Sequence, residues 1–334
     1  MRTKLNTLDF QGKAKKLQKH FDRCIVGQKE CTDEIVKLYQ NSLSGLQDTT
    51  RPLGSMIFLG PTGTGKTYVV EKFAEFLHGS PKNVLKIDCG EFQYGHEVTK
   101  LTGSPPGYLG HRETQALLTQ SRLTSIGSPS IVLFDEIEKG HDSLRGFLLG
   151  ILDKGTATTG DNYVTNFNNS FVFMTTNLGA KDLYTAQGYQ TGFAAKRDLT
   201  EKEITTIPIN AMKTAFTPEF VNRIDRIACF NPLNQEDCRQ ILVKEIEKIN
   251  ERVFIATKKK LYVENSVVDF ILSEPRDEKY GARPLRQAVE KLIMQPVSMV
   301  IGEIGQHIEV VVENYCIEFY SDIPKSEGVI GANA

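Results

Sequence analysis

The chain has 334 residues, 40% of them apolar and 24% charged, with a formal net charge of −1. That length supports about two domains with a real core, and the balanced charge supplies no bulk attraction to nucleic acid or to an anionic membrane. The six cysteines show neither C-x-x-C nor zinc spacing, and there is no apolar leader or membrane-length apolar run, so the expectation is a cytoplasmic protein with reduced thiols.

Residues 1–17 are polar and read as a lead. The lysines of Lys13 to Lys19 are expected on a solvated helix face. A helix around Leu17 to Cys24 and another from Glu30 to about Leu46 flank Ile25-Val26-Gly27-Gln28. The Ile25 and Val26 pair could wall an adenine pocket, although two aliphatics at a turn are usually core.

Ser55 to Leu59 is a short apolar run expected to be a buried strand, and Lys66 to Leu77 has helical apolar spacing. Between them lies Gly60-Pro61-Thr62-Gly63-Thr64-Gly65-Lys66-Thr67, which fits G-x-x-x-x-G-K-[ST], the loop that cradles phosphates. Gly60, Gly63 and Gly65 let successive backbone N–H groups converge on phosphate oxygens. Lys66 brings a cation to the β- and γ-phosphates, and Thr67 a hydroxyl to Mg²⁺. The helix after the loop points its positive end at the anion.

Asn83 to Cys89 is expected as a second strand. Leu101 to Gly110 is broken by glycines and prolines around Tyr108 and Leu109. Tyr108 either folds into a structured turn or stands out as a mobile aromatic that grips something. A helix is expected over Thr114 to Thr124. Ser130 to Asp135 reads as a buried strand ending in Asp135 and Glu136. A carboxylate there, beside a phosphate loop, is placed to hold Mg²⁺, and the next acid to take a proton from water. Paired acids after a strand can also cap a helix.

A helix follows from His141 to about Leu152, then a polar loop over 153–161. Ser170 to Asn177 is another buried strand. Asn177 at its end could orient a water, or simply serve a turn. Residues 178–205 read as loop, Ile209 to Phe216 as helix and 226–231 as strand. Asn234 is placed to cap a helix from Gln235 to Val253. Helices over Val267 to Ser273 and Arg283 to about Ile301, then a hairpin of 308–312 with 316–320, complete the pattern. These readings divide the chain into a lead (1–17), a large domain (18–232), a small domain (233–322) and a tail (323–334).

Taken together, these blocks resemble an AAA+ ATPase of the Clp class, in particular the second ATPase module of ClpA/ClpB-type unfoldases. The similarity runs from about Leu17 to Tyr320. It is carried by Ile25 to Gln28, Arg51 to Ser55, Gly60 to Thr67, Pro105 to Gly110, Phe134 to Lys139, Thr175 to Gly179, Phe220 to Asp225 and Gly281 to Leu285. The resemblance implies an α/β P-loop NTPase fold: a parallel-sheet large domain and a small, mostly helical lid domain with a C-terminal β-hairpin.

It also implies roles. Gly60, Thr62, Gly63, Thr64, Gly65, Lys66 and Thr67 hold ATP, with Ile25 and Val26 at the base. Thr67 and Asp135 hold Mg²⁺, Glu136 is the catalytic base and Asn177 the first sensor. Arg223 is the arginine finger, Arg283 the second sensor, and Tyr108 with Leu109 grips polypeptide.

The implied function is an ATP-dependent unfoldase or remodelling chaperone, a ring of six copies threading polypeptide through a central pore. A AAA+ switch serving a dedicated partner or a nucleic-acid complex is the alternative, against which the net charge argues on the nucleic-acid side. The residues present form a single module, without the middle domain that ClpB-like disaggregation uses. A dedicated adaptor and a ClpP-like peptidase are both open as partners. Thr191-Gly192-Phe193 stands where peptidase-binding members carry an aliphatic residue first, which weighs against the peptidase. Thr114-Gln115 replaces the usual Gly-Gly pair, and 155–161 lacks a basic residue.

Overall fold

A computed structural model describes residues 8–103, 116–160, 162–188, 197, 199–275, 277–300 and 307–321. The chain forms two compact units divided between Pro232 and Leu233. The first contains, in order, α1 (Leu8–Cys24), α2 (Lys29–Ser44), β1 (Gly54–Leu59), α3 (Lys66–His78), β2 (Leu85–Asp88), α4 (Thr99–Thr102), α5 (Gln120–Ile126), β3 (Ser130–Asp135) and α6 (Asp142–Lys154). It continues with β4 (Thr156–Thr158), β5 (Val164–Asn166), β6 (Ser170–Thr176), α7 (Ala180–Ala186), α8 (Glu201–Ala215), α9 (Pro218–Asn222) and β7 (Arg226–Cys229).

The main sheet has the order β2-β3-β6-β1-β7, and all four pairings are parallel. Side-chain alternation sorts its strands onto two cores. Met56 and Phe58 of β1, Ile131 and Leu133 of β3, and Phe171 and Phe173 of β6 meet α1, α2 and α3 on one face. Ile57 and Leu59, Val132 and Phe134, and Val172 and Met174 meet α5, α6 and α8 on the other. Phe73 of α3 stands edge-on to Phe171 and Phe173, with ring centroids 5.2 and 5.8 Å away. Burying such a ring contributes about 1.5–3 kcal/mol. Because the strands are parallel, the segments after β1, β3 and β6 emerge at the same edge, where α/β sheets bind ligands.

The second unit holds α10 (Gln235–Thr257), β8 (Lys260–Val263), α11 (Asn265–Ser273), α12 (Arg283–Val289), a π turn at Glu290–Met294, α13 (Gln295–Val300), β9 (His307–Glu313) and β10 (Cys316–Ser321). Asn234 caps α10: its side-chain Oδ1 accepts from the Asp237 N–H at 2.7 Å, and the Asp237 carboxylate accepts from the Asn234 N–H at 3.1 Å. Leu242, Ile249, Ile271, Val289, Ile293 and Val310 lie in its core.

The structure differs from the sequence reading at five places. The polar lead is helical from Leu8, because Ala14, Leu17 and Phe21 form a buried stripe beneath the lysine face. Residues 153–161, expected as loop, include β4, which pairs antiparallel with β5. Residues 178–205 hold α7 and the first turn of α8, which starts at a Thr200–Glu203 capping box. The helix expected over Thr114 to Thr124 occupies Gln120–Ile126, with Thr119 as its cap. The expected hairpin β9–β10 gains a parallel third strand, β8. All six cysteines are free thiols. Among the described residues no helix is long and apolar enough to cross a membrane.

Candidate functional site

The phosphate loop leaves β1 at Gly60 and enters α3 at Lys66. Gly60, Gly63 and Gly65 have φ of +136, +77 and +102, where side chains are strained. A Cβ on Gly60 would sit 2.7 Å from the Phe230 carbonyl, so the loop lies directly against the end of β7. Gly65 faces open space and precedes α3 without a side-chain cap, at the helix end whose dipole favours an anion. Thr64 is buried and donates to the Pro61 carbonyl at 2.8 Å.

Lys66 is buried. Its ammonium donates to the carbonyls of Gly60 (2.6 Å) and Pro61 (2.8 Å) and to Asn177 Oδ1 (2.8 Å). Thr62 donates to the same Asn177 oxygen at 3.2 Å. Thr67 donates to the Asp135 carboxylate at 3.2 Å, Thr175 at 2.5 Å, and the Lys86 ammonium stands 2.7 Å from its other oxygen. Burial alone raises the Asp135 carboxyl. The hydrogen bonds from Lys86 and Thr175, with the Lys86 charge, outweigh burial and hold it below the usual aspartate range.

Glu136 adopts a left-handed conformation (φ 57) that turns the chain sharply out of β3, and its N–H donates to Thr175 Oγ1 at 2.9 Å. One carboxylate oxygen accepts from Asn177 Nδ2 at 3.1 Å, and the other is paired with Lys139. The hydrogen bond that Lys139 donates to the Glu136 carboxylate holds the ammonium above its usual range. Glu138 accepts from the Asn177 backbone N–H at 3.0 Å and from Asn177 Nδ2 at 3.1 Å.

The turn at Ile25 and Val26 is tied to the same edge. Gln28 exchanges two hydrogen bonds with the Asn231 backbone (3.0 and 2.9 Å), and the Phe230 N–H donates to the Leu59 carbonyl at 2.7 Å. Ile25 packs on the core and Val26 is half-buried.

The structure thus brings Lys66, Thr67, Asp135, Glu136 and Asn177 together. Arg223 is elsewhere. It pairs with Asp153 at 2.7 Å, and its carbonyl accepts from Arg51 at 2.9 Å. Arg51 also donates to the Leu152 carbonyl and lies 3.5 Å from Asp225, whose carboxylate accepts from the Ser55 N–H and hydroxyl. Arg223 therefore sits at the start of β1, while the phosphate loop leaves its end. From Ser55 to Gly60 the strand advances about 17 Å, too far for one arginine to span. Arg283 is exposed at the start of α12 in the second unit.

Tyr108, Leu109, the Thr114-Gln115 pair and Thr191-Gly192-Phe193 lie outside the described residues. The β4–β5 hairpin is fastened to both flanks of the Tyr108 segment: Gly160 N–H donates to the Thr102 carbonyl at 2.7 Å, and Thr165 to the Leu118 carbonyl at 3.0 Å.

Sequence reasoning gave no role to Lys86, Thr175, Lys139 or Glu138. Lys86 carried a signal, since it alternates with Ile87 on a strand in register with β3. Glu138 had only its two-residue spacing from Glu136, and the turn at Glu136 is what brings it back to Asn177.

A family profile described as an AAA domain (Cdc48 subfamily) matches residues 51–227. A second, the C-terminal D2-small domain of ClpB protein, matches residues 233–312. The chain is 35% identical over 325 residues to an ATP-dependent Clp protease ATP-binding subunit, ClpC, of Staphylococcus aureus (strain USA300), covering 96% of this chain and 39% of that protein. It is 35% identical over 300 residues to the chaperone protein ClpB of Mesorhizobium japonicum, covering 88% of this chain and 33% of that one. It thus spans about a third to two fifths of the length of these curated relatives. Among solved structures, a closed-state cryo-EM reconstruction of Hsp104 with ATPγS and FITC-casein matches 95% of this chain and 53% of that one, with TM-score 0.79 and 28% identity.

Proposed function

We propose, from the premise that this chain belongs to the AAA domain family and continues into the small C-terminal domain of ClpB-type proteins, that it hydrolyses ATP as a ring to remodel polypeptides. One observation carries the reading. A single side-chain amide, that of Asn177, joins the phosphate-loop lysine to the acid after β3, with 2.8 Å to Lys66 and 3.1 Å to Glu136. Cation, carboxylate and amide converging beyond a phosphate loop are the parts phosphoryl transfer needs.

In this reading Gly60, Thr62, Gly63, Thr64 and Gly65 cradle the phosphates, and Lys66 exchanges the loop carbonyls for phosphate oxygens. Glu136 takes the proton of the attacking water, and Asn177 orients that water. Ile25 and Val26 wall the base. The donor set suits magnesium: Thr67 and Asp135 offer one hydroxyl and one carboxylate, hard oxygens of the kind that hold an ion keeping several waters. When bound, the ion neutralises charge across the β- and γ-phosphates.

Arg223 lies at the wrong end of β1 to serve its own phosphate loop. It is assigned to the nucleotide of a neighbouring copy, which is the reason for a ring, six-membered as in the Clp class. Arg283 is assigned to the nucleotide as the lid arginine. Tyr108 and Leu109 are assigned to grip polypeptide, an aromatic and an aliphatic being tolerant of sequence.

The test is ATP turnover of the purified chain with and without casein, beside Tyr108→Ala. Stimulation by casein in the wild type, abolished in Tyr108→Ala while basal turnover persists, supports the remodelling reading. Turnover indifferent to both casein and Tyr108 favours a switch ATPase with a dedicated partner.

A further inference from the structure

Glu138 has no part in the roles assigned above, yet it accepts two of the three hydrogen bonds that the Asn177 N–H and Nδ2 donate to carboxylates. Its Oε1 accepts from the Asn177 N–H at 3.0 Å and from Nδ2 at 3.1 Å. Its Oε2 is buried without a hydrogen-bond partner among the described residues. An amide can be placed two ways, and here charge decides between them. Lys66 and Thr62 donate to Oδ1, while two carboxylates, Glu136 and Glu138, accept from Nδ2. The reversed amide would set NH₂ against an ammonium and oxygen against two anions.

The proposed reaction removes two of these constraints. Lys66 moves to phosphate, and Glu136 turns to the water whose proton it takes. Glu138 belongs to neither event, and of the four described side chains on the Asn177 amide it is the one that also accepts from the Asn177 backbone N–H. We propose that Glu138 is a positioning residue that keeps the Asn177 amide turned, Oδ1 toward the phosphate loop, after Lys66 and Glu136 have let it go. This rests on the reading of Glu136 as base and Asn177 as the water-orienting amide.

The experiment is steady-state ATP hydrolysis and nucleotide binding by the full chain, comparing wild type with Glu138→Leu, Glu138→Gln, Asn177→Ala and the Glu138→Leu/Asn177→Ala double variant. Glu138→Leu is expected to lower kcat roughly tenfold to a hundredfold, the scale of a misplaced catalytic group, with nucleotide Kd changed less than about threefold. Glu138→Gln keeps one acceptor oxygen and recovers most of the rate. The double variant is no slower than Asn177→Ala alone, because the two residues act as one unit. Wild-type kcat in Glu138→Leu, or a full additional loss in the double variant, overturns the proposal.

If Glu138→Leu does not fold, Glu138→Asp is measured with and without Asn177→Ala. A loss confined to the Asn177 background supports the role, and an equal loss in both overturns it. The underlying reading fails separately, through a wild type that does not hydrolyse ATP or a Glu136→Gln variant that turns over normally.

Discussion

At the scale of single residues, the site is a set of cations and acids that satisfy one another. Lys66 is held by carbonyls and Asn177, Asp135 by Lys86 and two threonines, Glu136 by Lys139 and Asn177. Glu136→Gln keeps the side-chain size but cannot accept a proton. It is expected to bind ATP while losing about 10²–10⁴-fold in turnover, checked by pairing single-turnover hydrolysis with a nucleotide-binding assay. The phosphate loop was legible in the sequence because its glycines, lysine and threonine are contiguous. Lys86 and Glu138 were not, because their meaning lies in register: Lys86 acts across the β2–β3 pairing, and Glu138 returns to the site only through the left-handed turn at Glu136.

At the scale of elements, the buried strands were legible because unbroken apolar runs such as Ser130 to Phe134 have few other homes. Helices with lysine-rich faces were harder, and α1 was recognised only over about its second half, Leu17 to Cys24. Helix α8 was also underestimated. It is capped by Thr200, whose hydroxyl accepts from the Glu203 N–H, while Glu203 accepts from the Thr200 N–H and pairs with Arg197. The hydrogen bond from Arg197, then those from Thr200, push the Glu203 carboxyl down to about 2 from its ordinary 4.5. A carboxyl lowered on folding stabilises above its unfolded value and ceases to as pH falls through the folded one. Glu203→Gln should therefore melt below wild type at neutral pH. The gap should close as pH drops from 4.5 toward about 2, read as Tm against pH.

At the scale of the molecule, the sequence similarity to Clp-class proteins covers both units, and the division after Pro232 coincides with the gap between the two family matches at 227 and 233. The position of Arg223 makes a collective prediction. Arg223→Ala should cost roughly 10³-fold or more in turnover, the scale of an arginine finger, and Lys66→Ala should abolish nucleotide binding. Mixed, the two variants should regain turnover above the sum of either alone, because intact fingers then face intact loops. No gain at any mixing ratio would place Arg223 outside the reaction. Helix α6 connects these two ends. It starts three residues after Lys139, which holds Glu136, and near its last turn Asp153 holds Arg223. Its 13 residues make a strut of about 20 Å, packed along its length by Leu144, Leu148 and Ile151. If Arg223 serves a neighbouring copy as proposed, a displacement that begins at the Glu136–Lys139 pair would reach it through this one helix.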